Sequence, residues 1–334
     1  MRYSAVPRHV YLHVPFCARR CSYCDFSIAV RRTVPVDEYC RALESELAIR
    51  FRDHEPTEVD TIYLGGGTPS LLGGSGVARA LSLVRDRFPL APDAEVTIEA
   101  NPDDVNESAV AAWVDAGVNR LSIGSQSFDD AALAWMHRTH DGAAIERAVA
   151  VARSGGIRNL SLDLIFALPE RVERAEEGYE AEYLAAHEAL TAAGLEHYEV
   201  SNYARPGMRS RHNSSYWTGV PYVGLGPAAH EFDGHARRWN ARAYAEWRDL
   251  LARGSDPLGG REELTEQNRL AESVYLGLRS DAGLQLGQGE RDLVAPWEVA
   301  QWVTRDADDR MRCTALGWLR LDALAAALTH SRSR

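Results

Sequence analysis

Residues 10–26 read VYLHVPFCARRCSYCDF, in which a short β-rich run leads directly into a cysteine-rich loop. Three cysteines lie within eight residues: Cys17, Cys21 and Cys24. Thiolates this close together need a positive centre, which is zinc or an iron–sulfur cluster. Structural zinc takes four protein ligands, and His13 or Asp25 would have to supply the fourth. A cluster held by three cysteines leaves one iron open. We favour the cluster, because the loop follows a strand whose end faces the ligand-binding rim of a parallel sheet.

The other two cysteines stand alone. Cys40 lies within a helical pattern and Cys313 follows a Met-Arg pair, and both are predicted to be small buried apolar side chains. An odd total of five cysteines does not indicate a disulfide framework.

The composition is that of a globular protein. Of its residues, 45% are hydrophobic and 25% are charged, which is enough apolar residue to bury a sizeable core. The length of 334 residues, at about 150 residues per domain, predicts one large domain and a smaller one. The net charge of −11 argues against binding nucleic acid or a membrane through bulk charge. All 37 basic residues are arginine, which excludes a Schiff-base lysine, a P-loop lysine and a Ser-Lys pair. No apolar run approaches about 20 residues and the N-terminus has no signal-peptide core, so we expect a cytoplasmic protein without an integral membrane segment.

β-rich runs alternate with amphipathic helical patterns through the first half of the chain. This alternation predicts an α/β fold with a parallel sheet, either a barrel or a doubly wound sheet. Polar and glycine-rich residues follow the strands, where parallel α/β folds bind ligands. The predicted strands are 10–14, 59–65, 95–100, 120–125 and 160–166, and the predicted helices are 37–52, 75–88, 106–116 and 129–153, the last broken at Asp141-Gly142.

After Pro169 the alternation stops. A helical pattern over 178–194 leads to a strand candidate, EHYEVSNYA, and then to a polar and aromatic loop over 205–240. Helical patterns return later and include a short two-strand segment before GWLRLDALAAAL. We therefore predict a first domain over 1–240 and a small helical or winged-helix-like domain over 241–334.

The segment YLHVPFCARRCSYCDF (11–26) resembles the radical S-adenosylmethionine (SAM) proteins, and more narrowly the branch related to oxygen-independent coproporphyrinogen III oxidase. In that superfamily a CxxxCxxC loop binds a [4Fe–4S] cluster whose open iron chelates SAM. An electron from the cluster splits the sulfonium and gives a 5′-deoxyadenosyl radical. The resemblance implies a partial (β/α) TIM-like barrel, with Cys17, Cys21 and Cys24 as the cluster ligands.

Further motifs extend the resemblance over most of residues 9–240. GGGTPS (65–70) follows the second strand, where glycine lets the methionine end of SAM approach the backbone closely. IEANPDD, IGSQSF, MHRTHD and SLDLIFALP each supply one polar side chain at or just beyond a strand end. The positions that the resemblance assigns to SAM are Tyr11, Gly66, Gly67, Thr68, Glu99, Gln126, Arg138 and Asp163.

Two features favour the haem chaperones of this branch over the oxidase. The oxidases usually carry a longer N-terminal extension and a cysteine two positions after the third, whereas Cys24 is followed here by Asp-Phe. RHNSSYW (211–217) resembles the His-Asn-x-x-Tyr-Trp signature of the chaperones. His212 is the candidate haem contact, and a structural hydrogen-bonding role is its alternative. Competing histidines are His13, His140 and His230, and candidate partners for haem propionates are Arg209, Arg211, Arg237 and Arg238.

One part of the family pattern is missing. After LIFALPE (164–170) the family continues with a helix and another strand, whereas this sequence runs directly into RVERAEE. The chain lacks about one βα unit of ~30 residues. We therefore expect a barrel short of one strand, an exposed sheet edge beside the ligand rim, and lower stability than that of full-length relatives.

Three functions follow from these observations. The first is a haem carrier on a radical SAM scaffold, which holds a [4Fe–4S] cluster, SAM and haem and transfers haem to acceptor haem proteins. Respiratory complexes are candidate acceptors, and through them the protein would associate peripherally with the membrane. The second is an enzyme of porphyrin biosynthesis, which decarboxylates coproporphyrinogen III anaerobically. The third is a structural zinc module on an inactive barrel. We favour the first.

Overall fold

The computed structural model describes residues 6–53, 55–166 and 175–333. The described chain forms two compact units, and each is built from two segments of sequence. The first unit combines the residues up to Ile165 with Val220–Glu263, and the second combines Phe166–Gly219 with the residues from Leu264 onward. The sequence predicts two domains that are each continuous in sequence and meet after residue 240. The observed units differ because the chain returns to the first unit and adds a strand to its sheet.

The strands and helices have the following bounds in chain order. The strands are β1 (His9–Val14), β2 (Phe16–Cys17), β3 (Ala29–Val30), β4 (Val59–Gly66), β5 (Leu90–Ala100), β6 (Arg120–Gln126), β7 (Asn159–Leu164), β8 (Glu196–Glu199), β9 (Asn202–Ala204), β10 (Val223–Leu225), β11 (His230–Phe232), β12 (Ala236–Asn240), β13 (Leu258–Glu263), β14 (Leu284–Gln285), β15 (Val303–Arg305) and β16 (Arg310–Cys313). The helices are α1 (Val36–Arg50), α2 (Gly73–Arg87), α3 (Glu107–Asp115), α4 (Asp130–Trp135), α5 (Gly142–Ser154), α6 (Ala175–Ala192), α7 (Arg211–Tyr216), α8 (Tyr244–Ala252), α9 (Glu266–Arg279), α10 (Arg291–Val299), α11 (Ala315–Trp318) and α12 (Leu321–Arg332).

The first unit is built on a parallel sheet with the strand order β10-β1-β4-β5-β6-β7. The predicted strands match β1 and β4 to β7, and the predicted helices match α1 to α5. The break before α5 arises because Asp141 caps that helix and accepts a 2.7 Å hydrogen bond from Ala144 N. The predicted parallel α/β fold is confirmed, and the carboxyl ends of its strands share one edge of the sheet.

The core of the first unit lies between the sheet and its helices. Val10, Leu12 and Val14 of β1 are fully buried, as is Cys40 of α1, which confirms the predicted role of that cysteine. Near-continuous burial is typical of parallel strands whose two faces are both covered. The carboxyl end of β1, from which the cysteine loop leaves, is therefore fixed by packing.

The segment 205–240 is not the loop that the sequence predicts. It contains α7, β10, β11 and β12, and β10 pairs in parallel with β1, with Gly224 opposite Tyr11. Buried Arg50 of α1 secures this return because it donates hydrogen bonds to Gly224 O at 2.7 Å and to the Glu231 carboxylate. These strands are three to five residues long and carry no periodic pattern, so only their tertiary pairing defines them.

The second unit has its own core. EHYEVSNYA, predicted as one strand, forms the antiparallel hairpin β8–β9 after α6. A small antiparallel sheet in the order β14-β16-β15 packs with α9 and α12, and its core includes Met311, Trp318 and the buried Cys313. This sheet with flanking helices agrees with the predicted helical or winged-helix-like domain. Throughout the part of the chain that the structure describes, every helix falls short of the length and apolarity needed to cross a bilayer.

Strand β7 forms one edge of the six-stranded sheet. Within the described residues it pairs only with β6, and its apolar residues Leu162 and Leu164 are exposed. The exposed sheet edge expected from the sequence is therefore present at β7. The junction at which the family pattern is interrupted, residues 167–174, lies outside the described residues.

Candidate cofactor site

The three predicted cluster ligands lie in the loop that leaves β1. Cys17 ends β2, which pairs in parallel with β3, and Cys24 N donates a 3.3 Å hydrogen bond to Cys21 O. All three thiols are free and partly exposed. In residues 6–53, 55–166 and 175–333, no three His, Cys, Asp or Glu side chains surround one metal ion. A cluster does not need such convergence, because its cysteines ligate different iron atoms.

The glycine turn after β4 lies directly against β1 and the cysteine loop. Gly66 has a φ of +112°, and a Cβ atom there would stand 2.4 Å from Cε1 of His13. At Gly67 a Cβ atom would stand 2.7 Å from Phe16 O. Gly67 N donates to Val14 O at 2.8 Å, so the turn runs along the first strand. The sequence places glycine here because the turn packs directly against β1 and no side chain fits between them.

Thr68 joins the glycine turn to the first cysteine. Its Oγ1 lies 3.5 Å from Cys17 Sγ, and its N donates to Phe16 O at 2.8 Å. Burial raises the pKa of the Cys17 thiol, and the hydrogen bond to Thr68 opposes that rise. A thiolate at this position is therefore disfavoured unless a positive centre compensates it. Three such thiols fit an iron–sulfur cluster, which binds thiolates through cationic iron.

Arg138 links the cysteine loop to the ends of two strands. Its Nη2 donates hydrogen bonds to Asn101 Oδ1 at 2.5 Å and to Gly124 O at 2.8 Å, just after β5 and within β6. Its Nη1 reaches Tyr23 Oη at 3.5 Å and Cys21 Sγ at 3.7 Å. The guanidinium therefore places a fixed positive charge beside the thiols, where it favours the thiolate form.

Glu99 is held at the end of β5 by two hydrogen bonds. Tyr63 Oη donates to its Oε1 at 2.9 Å, and Gly66 N donates to its Oε2 at 3.0 Å. Removal from solvent, with the nearby Asp163 carboxylate adding to it, raises the pKa of Glu99 to about 7. A carboxyl group with a pKa near neutral pH gives up its proton readily when a cation approaches, so Glu99 is suited to receive a cationic ligand such as the SAM amino group.

Asp163 and Gln126 complete the row along the strand ends. Ser122 Oγ donates to both Asp163 oxygens, at 3.0 and 3.2 Å, and removal of the carboxyl group from solvent raises the pKa of Asp163. Gln126 ends β6 with a φ of +64°, which is a strained backbone for a residue other than glycine. Its carbonyl accepts a 2.9 Å hydrogen bond from Ile165 N, which anchors the strained residue to the adjacent strand.

Tyr11 and His13 lie on the same side of β1. Tyr11 Oη is 3.1 Å from His13 Nδ1, and the Tyr11 ring stacks on Tyr63 at 6.2 Å. His13 Nε2 is 3.0 Å from Ser27 O, and burial lowers the pKa of His13 to about 4. Both ring nitrogens of His13 have partners, so this competing haem candidate supports the glycine turn in the structure.

The sequence pattern of the radical SAM superfamily matches residues 11–181, just over half of the chain. The chain belongs to the radical SAM superfamily. Its relatives include a Mycobacterium tuberculosis protein named Heme chaperone HemW, 36% identical, with 96% of this chain and 95% of the relative covered. A Bacillus subtilis protein of the same name is 32% identical, with 83% and 84% covered. The resemblance to the haem-chaperone branch of the superfamily is therefore confirmed.

A solved structure agrees with this assignment at the level of the fold. The structure of coproporphyrinogen III oxidase (HemN) from Escherichia coli, described as a radical SAM enzyme, superposes with a TM-score of 0.82. It covers 98% of this chain and 91% of that chain, at 22% sequence identity. At this identity the likeness concerns the fold alone.

The alignment with the M. tuberculosis relative also bears on the interrupted family pattern. It spans 370 positions and covers 96% of the 334 residues, about 320, so about 50 of its positions have no counterpart here. This total is large enough to include the βα unit of ~30 residues that the sequence lacks. The exposed β7 edge is consistent with the absence of a strand from that side of the sheet.

His212, the candidate haem contact, lies in the second unit. It is fully buried on α7, and its Nε2 is 2.8 Å from Tyr216 Oη. The ring would have to give up this partner before Nε2 could bind iron. Among its competitors, His140 is buried against Ser125 O, and His230 is exposed and stacked on Trp239.

The arginines proposed for propionates differ in their surroundings. Arg209 donates hydrogen bonds to the carboxylates of Asp281 and Glu196, and buried Arg238 donates to Asp256. Arg211 is exposed, and Arg237 is partly exposed on β12. Arg211 is therefore the exposed one of the four, and Arg238 is the buried one.

Sequence reasoning missed the residues that support the site. Tyr63, Ser122 and Asn101 fix Glu99, Asp163 and Arg138 respectively. Each stands on or just after a predicted strand, but a hydrogen bond between two strands produces no recognisable spacing of residues in the sequence. The available signal was only that Tyr63 and Ser122 stand on predicted strands and that Asn101 directly follows one.

Proposed function

We propose that the protein is a haem carrier on a radical SAM scaffold, which binds a [4Fe–4S] cluster, SAM and haem and transfers haem to acceptor haem proteins. The observation that carries this proposal is the similarity, at 36% identity over nearly the whole chain, to a relative named Heme chaperone HemW. The RHNSSYW segment, which resembles the chaperone signature, supports it further.

The cysteine loop suits the cluster in this proposal. Cys17, Cys21 and Cys24 hold it, and Arg138 lies beside them with its guanidinium 3.7 Å from Cys21 Sγ. A reduced cluster supplies an electron for reductive cleavage of SAM when both are bound. The chain's own residues orient the thiols and compensate their charge.

The row of strand ends suits SAM. Gly66, Gly67 and Thr68 form the tight turn beside which its methionine end would lie, and Glu99, bonded to Gly66 N, offers a carboxylate for its amino group. The remaining contacts proposed for SAM lie on neighbouring strands or just beyond them: Tyr11, Gln126, Arg138 and Asp163.

The haem contact in this proposal lies in the second unit. His212, Tyr216 and Trp217 form the RHNSSYW segment, and Arg279 covers the Trp217 ring at 4.2 Å. Iron ligation by His212 requires the Tyr216 hydroxyl to leave the ring nitrogen. Acceptor haem proteins, with respiratory complexes as one candidate, take haem from this site.

The test begins with anaerobic reconstitution with iron and sulfide. We expect about four irons per chain in the wild type, and loss of this iron in Cys17→Ala, Cys21→Ala or Cys24→Ala. Cys40→Ala, at a buried cysteine of α1 outside the loop, is the matched control and should retain the iron. One zinc per chain without iron or sulfide would instead support the structural zinc module. The reconstituted protein is then supplied with coproporphyrinogen III, SAM and a reductant. We expect no protoporphyrinogen IX, and steady turnover would move the proposal to the oxidase.

A further inference from the structure

A pair of histidines in the second unit lies outside every motif described above. His187 of α6 and His197 of β8 face each other with 2.9 Å between their Nδ1 atoms. Tyr203 stacks on the His197 ring at 3.9 Å, and Trp318 lies 4.3 Å from it. His197 is therefore fixed by aromatic rings, whereas His187 stands at the side of this cluster and is only partly buried.

The hydrogen bonds of the pair determine which nitrogens carry protons. The His197 ring lies between Tyr203 and Trp318, and this apolar setting favours its neutral form. Tyr183 Oη donates its proton to Val200 O at 2.8 Å and lies 3.5 Å from His197 Nε2, so it accepts from that nitrogen and Nε2 carries the ring proton. His197 Nδ1 is then an acceptor, so His187 Nδ1–H must donate to it.

This tautomer leaves the Nε2 lone pair of His187 unprotonated. Within the described part of the chain, Nε2 of His187 has no hydrogen-bond partner. A histidine that donates Nδ1–H to a fixed acceptor and offers Nε2 has the arrangement of a metal-ligating imidazole. His212, by contrast, is fully buried, with Nε2 bonded to Tyr216.

Aromatic side chains continue from His187 along the same face of α6. Tyr183 and Tyr179 precede it by four and eight residues, and their rings are nearly parallel, 6.4 Å apart at 10°. Tyr179 and Phe166, with rings 5.1 Å apart, are both 43% exposed. Tyr183 itself is buried in the core of the second unit. The accessible rings are those of Tyr179 and Phe166, about 12 Å along the helix from His187, and they offer the edge of a planar macrocycle an aromatic surface.

We infer that His187 is an axial ligand for haem iron, with Tyr179 and Phe166 beside the edge of the macrocycle and His197 as the positioning residue. This inference rests on the proposed function, since it concerns the haem that the carrier binds, and it assigns iron ligation to His187 in place of His212. It assigns ligation to an imidazole that is ready to bind without breaking a hydrogen bond.

The test is a haemin titration of the reconstituted protein, followed by Soret absorbance and by the spectroscopic signature of iron–imidazole ligation. His187→Ala should lose that signature and weaken binding at least tenfold, and added imidazole should restore the signature. His197→Phe keeps the ligand but removes its acceptor, so we expect a 10–100-fold loss of affinity. His235→Ala, at an exposed histidine of the first unit, is the control and should bind as the wild type does.

His187→Met carries the test if His187→Ala fails to fold. It retains a ligand atom, and its spectrum should change from imidazole to thioether ligation. Unchanged binding and an unchanged spectrum in the His187 variants, with loss in His212→Ala, would overturn the inference and leave the carrier standing. Absence of saturable binding by the wild type would remove both the inference and the proposed function.

Discussion

The glycine turn allows the sharpest test of how the site is built. Gly66→Ala places a Cβ atom 2.4 Å from His13 Cε1 on a backbone with φ +112°. The backbone strain costs about 2 kcal/mol and the steric overlap costs a similar amount, so we expect the free energy of unfolding to fall by about 4 kcal/mol. For a unit of about 200 residues, that corresponds to a fall in Tm of roughly 10 °C.

The chain offers a matched control in Gly73. Its φ is also positive, at +68°, but a Cβ atom there would meet nothing within 4 Å. Gly73→Ala therefore measures backbone strain without overlap, and we expect about half the loss. Urea denaturation gives both values, and adding His13→Ala to Gly66→Ala should recover about 1–2 kcal/mol as a coupling energy. Equal losses in the two glycine variants, or no coupling to His13, would refute the steric reasoning.

Three further predictions concern buried charge in the first unit. Burial lowers the pKa of His13 to about 4, against 6.5 in the unfolded chain, so between these two pH values the unfolded chain binds the proton more readily. The free energy of unfolding should therefore fall by about 3 kcal/mol as the pH falls from 6.5 to 4. His13→Gln should flatten this dependence in urea denaturation at pH 4–7. Glu99 acts in the opposite direction: its pKa is about 7 in the folded protein against 4.5 in the unfolded chain, so the free energy of unfolding falls as the pH rises from 4.5 to 7. Glu99→Gln should be more stable than the wild type at pH 8 by about 2 kcal/mol. Identical stability curves for the two proteins would contradict this. Arg50→Met leaves the buried carboxylates of Glu46 and Glu231 without their guanidinium partner, so we expect the free energy of unfolding to fall by about 3–5 kcal/mol in the same assay. A fall of less than about 1 kcal/mol would contradict a role for Arg50 in anchoring β10.

Local pattern was sufficient where an element is defined by its own sequence. The strands β1 and β4 to β7 and the helices α1 to α5 follow directly from hydrophobic periodicity and from caps such as Asp141. The cysteine loop and the glycine turn were found by spacing, and the structure brings Thr68 within 3.5 Å of Cys17 Sγ. Sites made of residues that are close together in the sequence, such as the cysteine loop and the glycine turn, could therefore be located from the sequence.

Long-range pairing accounts for what the sequence did not predict. Segment 205–240 has short strands whose identity depends on pairing with β1 and on Arg50, a residue 174 positions away from Gly224. The link between His187 and His197 likewise joins a helix to a hairpin strand, and neither histidine belongs to a motif. Contacts of this kind arise only when the chain has folded, so no local pattern indicates them.

The central claim is that the protein hands haem to an acceptor, and transfer kinetics test it most directly. The haem-loaded protein is mixed with rising concentrations of an apo haem protein, and loss of its Soret band is followed in a stopped-flow instrument. Dissociation into an excess of a non-protein scavenger gives the rate of passive release. We predict transfer that quickens with acceptor concentration and exceeds passive release at least tenfold. A transfer rate equal to passive release at every acceptor concentration would contradict the claim.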